Sequence, residues 1–146
     1  MTVVASHIKL QRSLVAGALA FALAGCGSGY QIAPVAGTVT LGGKALPDAA
    51  ITFQPLGGSG TKEPGTGSYG RTDANGRFTL RMIADDQRGA IVGNHSVTIS
   101  TGRSDPTTDA PRVSGEKVPP AYRNGSQRFE VPAAGTEQAD FAIPAR

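Results

Sequence analysis

His95 is one of two histidines in the chain, with His7, and its imidazole is the side chain best suited to acid–base work near neutral pH. A hydrolytic triad would set it against a serine raised on a nucleophile elbow, yet no Gly-x-Ser-x-Gly run occurs anywhere in the 146 residues. A zinc site would need further His or Cys ligands, and the one cysteine is Cys26. Asp73-Ala74-Asn75-Gly76 places oxygen donors at the spacing of a calcium loop. Arg71 then falls at its first position and Met82 at its twelfth, so the charge and the bidentate ligand are both missing. Gly65-Thr66-Gly67-Ser68-Tyr69-Gly70 spells a dinucleotide fingerprint by letter. That chemistry needs a preceding strand and a following helix to hold the pyrophosphate, whereas here a glycine-rich loop runs into a hairpin turn. Asn94-His95-Ser96 and Asn124-Gly125-Ser126 are formal glycosylation sequons, read most simply as turns. No catalytic residue, cofactor or metal ligand is expected from these positions.

The stronger chemical signal lies at Cys26. Lys9 and Arg12 stand upstream with no acidic residue, and an apolar run follows from Leu14 to Ala24. This is the order of a secretory signal peptide, and the run is shorter than the roughly 20 apolar residues of a membrane-spanning helix. Leu23-Ala24-Gly25-Cys26 resembles the lipobox of bacterial lipoproteins, whose cysteine thiol receives a diacylglycerol and becomes an acylated N-terminus. The resemblance implies a signal peptide over 1–25, lipidation at Cys26 and a membrane as partner. Gly27 after the cysteine resembles the outer-membrane sorting pattern of enteric bacteria. A cell-envelope location, at the outer membrane or facing the periplasm, is the expectation.

Cleavage before Cys26 removes 25 of 146 residues and leaves 121, enough for one small domain. It also removes Lys9 and Arg12, so 12 basic residues face 11 acidic ones and the net charge falls from +3 to +1. The high isoelectric point thus belongs partly to the signal, and no basic stripe interleaved with aromatics remains. Nucleic acid is excluded as a partner on that ground. With its thiol taken by lipid, Cys26 leaves no disulfide to staple the domain, which must hold by burial alone. The 20 Gly and 10 Pro fit short strands joined by many turns.

Residues 26–33 read as a tether without periodicity, and from Pro34 onward period two dominates. Val35, Gly37, Val39 and Leu41 share one face. Ile51 with Phe53, Phe78 with Leu80 and Met82, and His95 with Val97 and Ile99 do likewise, followed by Phe129 with Val131 and Ala139 with Phe141 and Ile143. In that phase His95 is expected to pack, partly buried. Asp73-Ala74-Asn75-Gly76 reads as a hairpin turn, with an Asp side chain to bond the local backbone and Asn and Gly to tolerate positive φ. Segments 57–67 and 101–120 read as irregular. No helical period occurs outside the signal. The fold class expected is all-β, an antiparallel β-sandwich of about seven strands over 34–146, with Val39, Leu41, Ile51, Phe53, Phe78, Leu80, Val97, Ile99, Phe129 and Phe141 as its core.

Gly37-Thr38-Val39 through Leu46-Pro47-Asp48-Ala49 resembles the opening G-x-V…P-L-P-G-A of carboxypeptidase-regulatory-like, transthyretin-like domains. Thr72-Asp73-Ala74-Asn75-Gly76-Arg77-Phe78 is similar to their T-D-x-D/N-G-x-F hairpin. Gly93-Asn94-His95-Ser96-Val97 is similar to their G-x-Y-x-V strand, with His95 where an aromatic is usual. The tail Val118-Pro119-Pro120-Ala121-Tyr122-Arg123, with the later Phe129 and Phe141 strands, resembles small bacterial lipoproteins built on this domain. The resemblance implies a transthyretin-like sandwich that acts as a non-catalytic binding or structural module, with an envelope protein or a glycan as its partner. A carbohydrate-binding module is the alternative, disfavoured because Trp is absent and Tyr30, Tyr69 and Tyr122 are the only tyrosines. A transthyretin-like hydrolase is more remote. 5-Hydroxyisourate hydrolases end in Tyr-Arg-Gly-Ser, whereas here Asn124 interrupts Tyr122-Arg123-Asn124-Gly125-Ser126, the segment is internal and the partner histidines are lacking. Segments 57–67 and 102–120 are the loops expected to meet a partner.

Overall fold

The computed structural model describes residues 29–57, 64–104 and 113–145, with backbone alone at 103–104 and 113–114. The signal segment, Cys26 and the centres of both long loops, 58–63 and 105–112, lie outside the described residues. In chain order the elements are β1 (Ile32–Ala33), β2 (Ala36–Leu41), β3 (Lys44–Ala45), β4 (Ala50–Pro55), β5 (Ser68–Arg71), β6 (Arg77–Thr79), β7 (Arg81–Met82), β8 (Ala90–Ile91), β9 (Gly93–Ser100), β10 (Arg103–Ser104), β11 (Val113–Ser114), α1 (Pro120–Arg123), β12 (Gln127–Val131) and β13 (Phe141–Ile143).

The alternating segments form the long strands. One sheet has five antiparallel strands in the order β12-β9-β4-β5-β7. The other is built on β2, with β13 along one edge and β6 and β3 sharing the opposite edge, one on each half of the strand. The run 77–82 serves both sheets: Arg77–Thr79 pair with β2, and Arg81–Met82 pair with β5. Counting β6 and β7 as one run, seven principal strands make an all-β sandwich.

The structure adds several features to the expected plan. β13 runs parallel to β2, Phe141 opposite Val39. Parallel neighbours require a crossover, and here residues 132–140 carry the chain from the five-stranded sheet to the other one. Regular pairing begins at Ile32, inside the expected tether, because β1 pairs with β8. Pro120–Arg123 form a single helical turn after two prolines. A turn of four residues has no period to read.

The two inner faces meet on a phenylalanine cluster. Phe53 from β4 lies 5.5 Å from Phe129, 5.7 Å from His95 and 6.1 Å from Phe141, centroid to centroid, and Phe141 reaches Phe78 at 6.5 Å. These tilted and edge-on contacts are the favoured aromatic geometries. Val39, Ile51, Phe53, Phe78, Leu80, Val97, Ile99 and Phe141 are buried as expected. Leu41 and Phe129 sit at the core margin, partly exposed but packed against it. Val35, Leu46, Val118, Val131 and Ile143 complete the interior. Gly37 makes room for the crossover, since a Cβ there would fall 2.1 Å from the Ala139 carbonyl oxygen.

Phe53→Ala should cost about 3–5 kcal/mol, because its cavity opens between sheets with no covalent link to hold them. Urea denaturation of residues 29–146 measures it. A loss below about 1 kcal/mol would show that this ring does not bridge the sheets.

Candidate functional site

The two segments that carry the N-terminal half of the family resemblance interlock. Thr72 is buried, and its hydroxyl donates to the Leu46 carbonyl at 2.7 Å while accepting the Ala49 N–H at 2.8 Å. The backbone reinforces this clamp, Thr72 N–H to Ala49 carbonyl at 2.9 Å and Asp48 N–H to Thr72 carbonyl at 3.1 Å. Asp48, in the turn before Ala49, has a φ of +58°. Asp is among the few side chains that visit the left-handed region readily, and this one also pairs with the Arg71 guanidinium at 2.5 Å.

The next residue builds the hairpin. Asp73 Oδ1 accepts the N–H groups of Asn75 at 2.8 Å and Arg77 at 2.9 Å, and Gly76 alone in the turn takes positive φ, +75°. A Cβ on Gly76 would meet the Val39 carbonyl oxygen at 2.6 Å. The oxygen donors that mimic a calcium loop are therefore turn-forming atoms. Among the described residues no group of three or more His, Cys, Asp or Glu side chains gathers around a common point. Gly65–Gly70 leads into β5, a strand, so no helix N-terminus faces its glycines.

His95 is buried in the core, deeper than the partial burial expected of it. Its Nδ1 lies 2.9 Å from the Gly93 carbonyl, which fixes the tautomer with the proton on Nδ1. Nε2, the atom a general base would offer, is buried without a hydrogen-bond partner. Burial pushes the imidazole below its ordinary value of 6.5, with only partial opposition from the Gly93 contact. The ring packs beside Phe53 as a member of the aromatic cluster.

Tyr122-Arg123-Asn124-Gly125-Ser126 forms α1 and the turn after it. Ser126 N–H donates to Asn124 Oδ1 at 3.0 Å, and its hydroxyl donates to the Ala121 carbonyl at 2.8 Å. Tyr122 packs against the core margin. Arg123 Nε approaches a Glu116 oxygen at 4.0 Å, not His95. Of the two sequons read as turns, Asn124–Ser126 does lie in the turn after α1, whereas Asn94–Ser96 lies within β9, where it pairs with both neighbouring strands. Of the three tyrosines only Tyr69 is broadly exposed, and its hydroxyl donates to Asp86 at 3.1 Å.

Glu116 is the functional-looking carboxylate that sequence reasoning missed. Its side chain is only 12% exposed. Oε2 accepts from the Ser100 hydroxyl at 2.5 Å and the Gly102 N–H at 3.2 Å, and Oε1 from the Val118 N–H at 2.7 Å and the Thr101 N–H at 3.2 Å. Burial alone would raise this carboxyl. The bonds from Ser100, Val118 and Thr101 outweigh that effect and hold it at about 2. Glu116 thereby ties the end of β9 to the buried Val118, a structural task. No sequence period marks it, because apart from Val118, two residues on, its hydrogen-bond partners lie 14–16 residues away in the chain.

These side chains can hold turns and a loop, and they do not converge on a point where a substrate atom could sit. Comparison with family models, with curated proteins and with solved structures finds no match to this chain.

Two pH effects follow, of opposite partners but the same sign. The His95 imidazole titrates lower in the folded chain, so the unfolded chain binds its proton first and stability falls as pH drops through about 6.5. His95→Phe should remove that component between pH 7 and 5, checked by melting temperature across the range. The Glu116 carboxylate stabilises above its unfolded value and loses that contribution as pH falls from about 4.5 to about 2. Glu116→Gln should cost on the order of 1–3 kcal/mol at pH 7, with the gap to the parent closing at low pH in the same denaturation series.

Proposed function

We propose that this protein is a lipid-anchored lipoprotein of the bacterial cell envelope whose transthyretin-like domain serves as a non-catalytic binding or structural module. The observation that carries the reading is Leu23-Ala24-Gly25-Cys26 behind a basic segment and an apolar run. A cysteine there, and nowhere else, has the chemistry of an acylated N-terminus. One acyl chain holds a protein only marginally, at about 0.8 kcal/mol per buried CH₂, whereas two or more hold it stably. Acylation of both the Cys26 thiol and the new amine is therefore part of the proposal.

The non-catalytic part is supported by what the polar side chains do. Thr72, Asp73 and Glu116 hold backbone, and His95 presents no free nitrogen to solvent. Such a domain offers shape and loops rather than reacting groups.

Cys26→Ser should shift the protein from the membrane to the soluble fraction and abolish incorporation of labelled palmitate. Fractionation and labelling of cells expressing the two forms measure this. Retention of the variant in membranes, or its labelling, would refute the anchor.

A further inference from the structure

The large apolar side chains that stand out in solvent are not scattered. Leu56, Tyr69 and Ile83 are 39%, 46% and 56% exposed and are the large hydrophobics in that class among the described residues. Register puts all three on one face. In β4, Ile51, Phe53 and Pro55 point inward and Thr52 and Gln54 outward, and Leu56, which continues the pairing past the strand by donating to the Asn94 carbonyl, is outward too. Ser68 lies opposite Phe53 and Met82, both inward, so Tyr69 and Ile83 are outward as well. Ile83 continues the ladder by donating its N–H to the Gly67 carbonyl. Gly67 has no side chain, and a Cβ there would lie 3.5 Å from Ile83 Cδ1, so the isoleucine spreads over it.

The same end of the sandwich receives the N-terminal chain. Leu56 and Tyr30 line one depression, and Tyr30 and Met82, the neighbour of Ile83, line the next. Tyr30 is four residues from Cys26. Four extended residues span at most about 14 Å, so an acylated Cys26 brings this end within that distance of the bilayer. Of the nearest charges, Asp86 is paired with Arg81 at 2.6 Å and also accepts from the Tyr69 hydroxyl, while the Asp85 carboxylate accepts the Gln87 N–H at the edge of the depression lined by Tyr30 and Met82.

We propose that this corner of the outer sheet face seats the domain on the lipid surface, with Leu56 and Ile83 at the boundary between headgroups and acyl chains and Tyr69 at headgroup level. Tyrosine is favoured at that depth because its ring is apolar and its hydroxyl polar. The seat rests on the lipid-anchor reading. Acylation confines the domain near the membrane, and the apolar corner then fixes which way it faces.

The chain contains no tryptophan, so a single introduced one reports without background. The full lipidated protein carrying Leu56→Trp, Ile83→Trp or, as control, Lys44→Trp on the exposed β3 of the other sheet is reconstituted in vesicles of equal parts phosphatidylethanolamine and phosphatidylglycerol, with and without brominated acyl chains. Emission from positions 56 and 83 should shift to the blue and fall by about half or more in brominated vesicles, since a face seated in the interface lies roughly 5–10 Å deep. Position 44 should not respond. If either substitution disturbs the melting curve, Tyr69→Trp replaces it as an aromatic exchange on the same face. Co-flotation with vesicles while either outer position stays unquenched overturns the seat and leaves the anchor standing. Equal quenching at position 44 also overturns it. Failure of the protein to float with vesicles overturns the anchor, and the seat with it.

Discussion

The contact between Phe53 and Phe141 is the interaction on which the rest of the molecule depends. Phe53 stands at the centre of the five-stranded sheet and Phe141 on the last strand of the other, 6.1 Å apart and edge to face. Nothing covalent joins the two sheets among the described residues, so their separation and angle are set by how these rings fill the space between them. Phe129 and Phe78 extend the cluster to either side. His95 enters the same cluster with one nitrogen satisfied and the other not, and an unsatisfied buried polar atom costs about 1–3 kcal/mol. That cost is set against the packing of the imidazole beside Phe53, 5.7 Å away centroid to centroid.

Around this core the irregular crossings are secured by single oxygen acceptors reaching across long sequence separations. Thr72 holds the turn at 46–49, and Glu116 holds the return from β9 to Val118. Asp140 accepts both the N–H and the hydroxyl of Thr38, at 2.8 and 2.6 Å, where the crossover lies down beside β2. The Gly37–Ala139 approach is possible because Gly37 has no Cβ, and the Asp140–Thr38 bonds lie beside it. Side chains used in this way look like candidate site residues in isolation. Most of their partners are backbone groups, so their role is to replace ladder bonds where the strands stop.

Period two made the long strands and most of the core legible, because one buried face leaves an alternating trace in β2, β4, β9 and β13. The Asp73–Gly76 turn was legible for a chemical reason, since only an acceptor at its start and a glycine at its end satisfy that geometry. What escaped has no local trace. β1 and β8 are two residues each and exist only because they pair with one another. Val118 is a lone apolar residue in a polar segment, buried because Glu116 draws the chain inward. The parallel placement of β13 depends on a crossover, and alternation reads the same in either direction. For the candidate site, His95 was legible as a packing residue but not in its depth, and Glu116 was not legible at all.

The strand directions also sort the two loops that an irregular sequence marks as places to meet a partner. β4 ends at Pro55 opposite His95, at the end of the sandwich where Val92 N–H bonds the Gln31 carbonyl and the N-terminal chain enters. The loop between β4 and β5 therefore leaves from the tether end. β9 finishes at Ser100, opposite Ala50, so the segment that follows leaves from the other end, together with the turns at 46–49 and 73–76. The described flanks of the first loop thus lie at the end where the N-terminal chain enters and those of the second at the opposite end. The described flank of that second loop is also where Glu116 gathers five backbone and side-chain donors around one carboxylate. Those bonds join Ser100, Thr101 and Gly102 on one described flank to Glu116 and Val118 on the other, replacing ladder bonds where β9 stops.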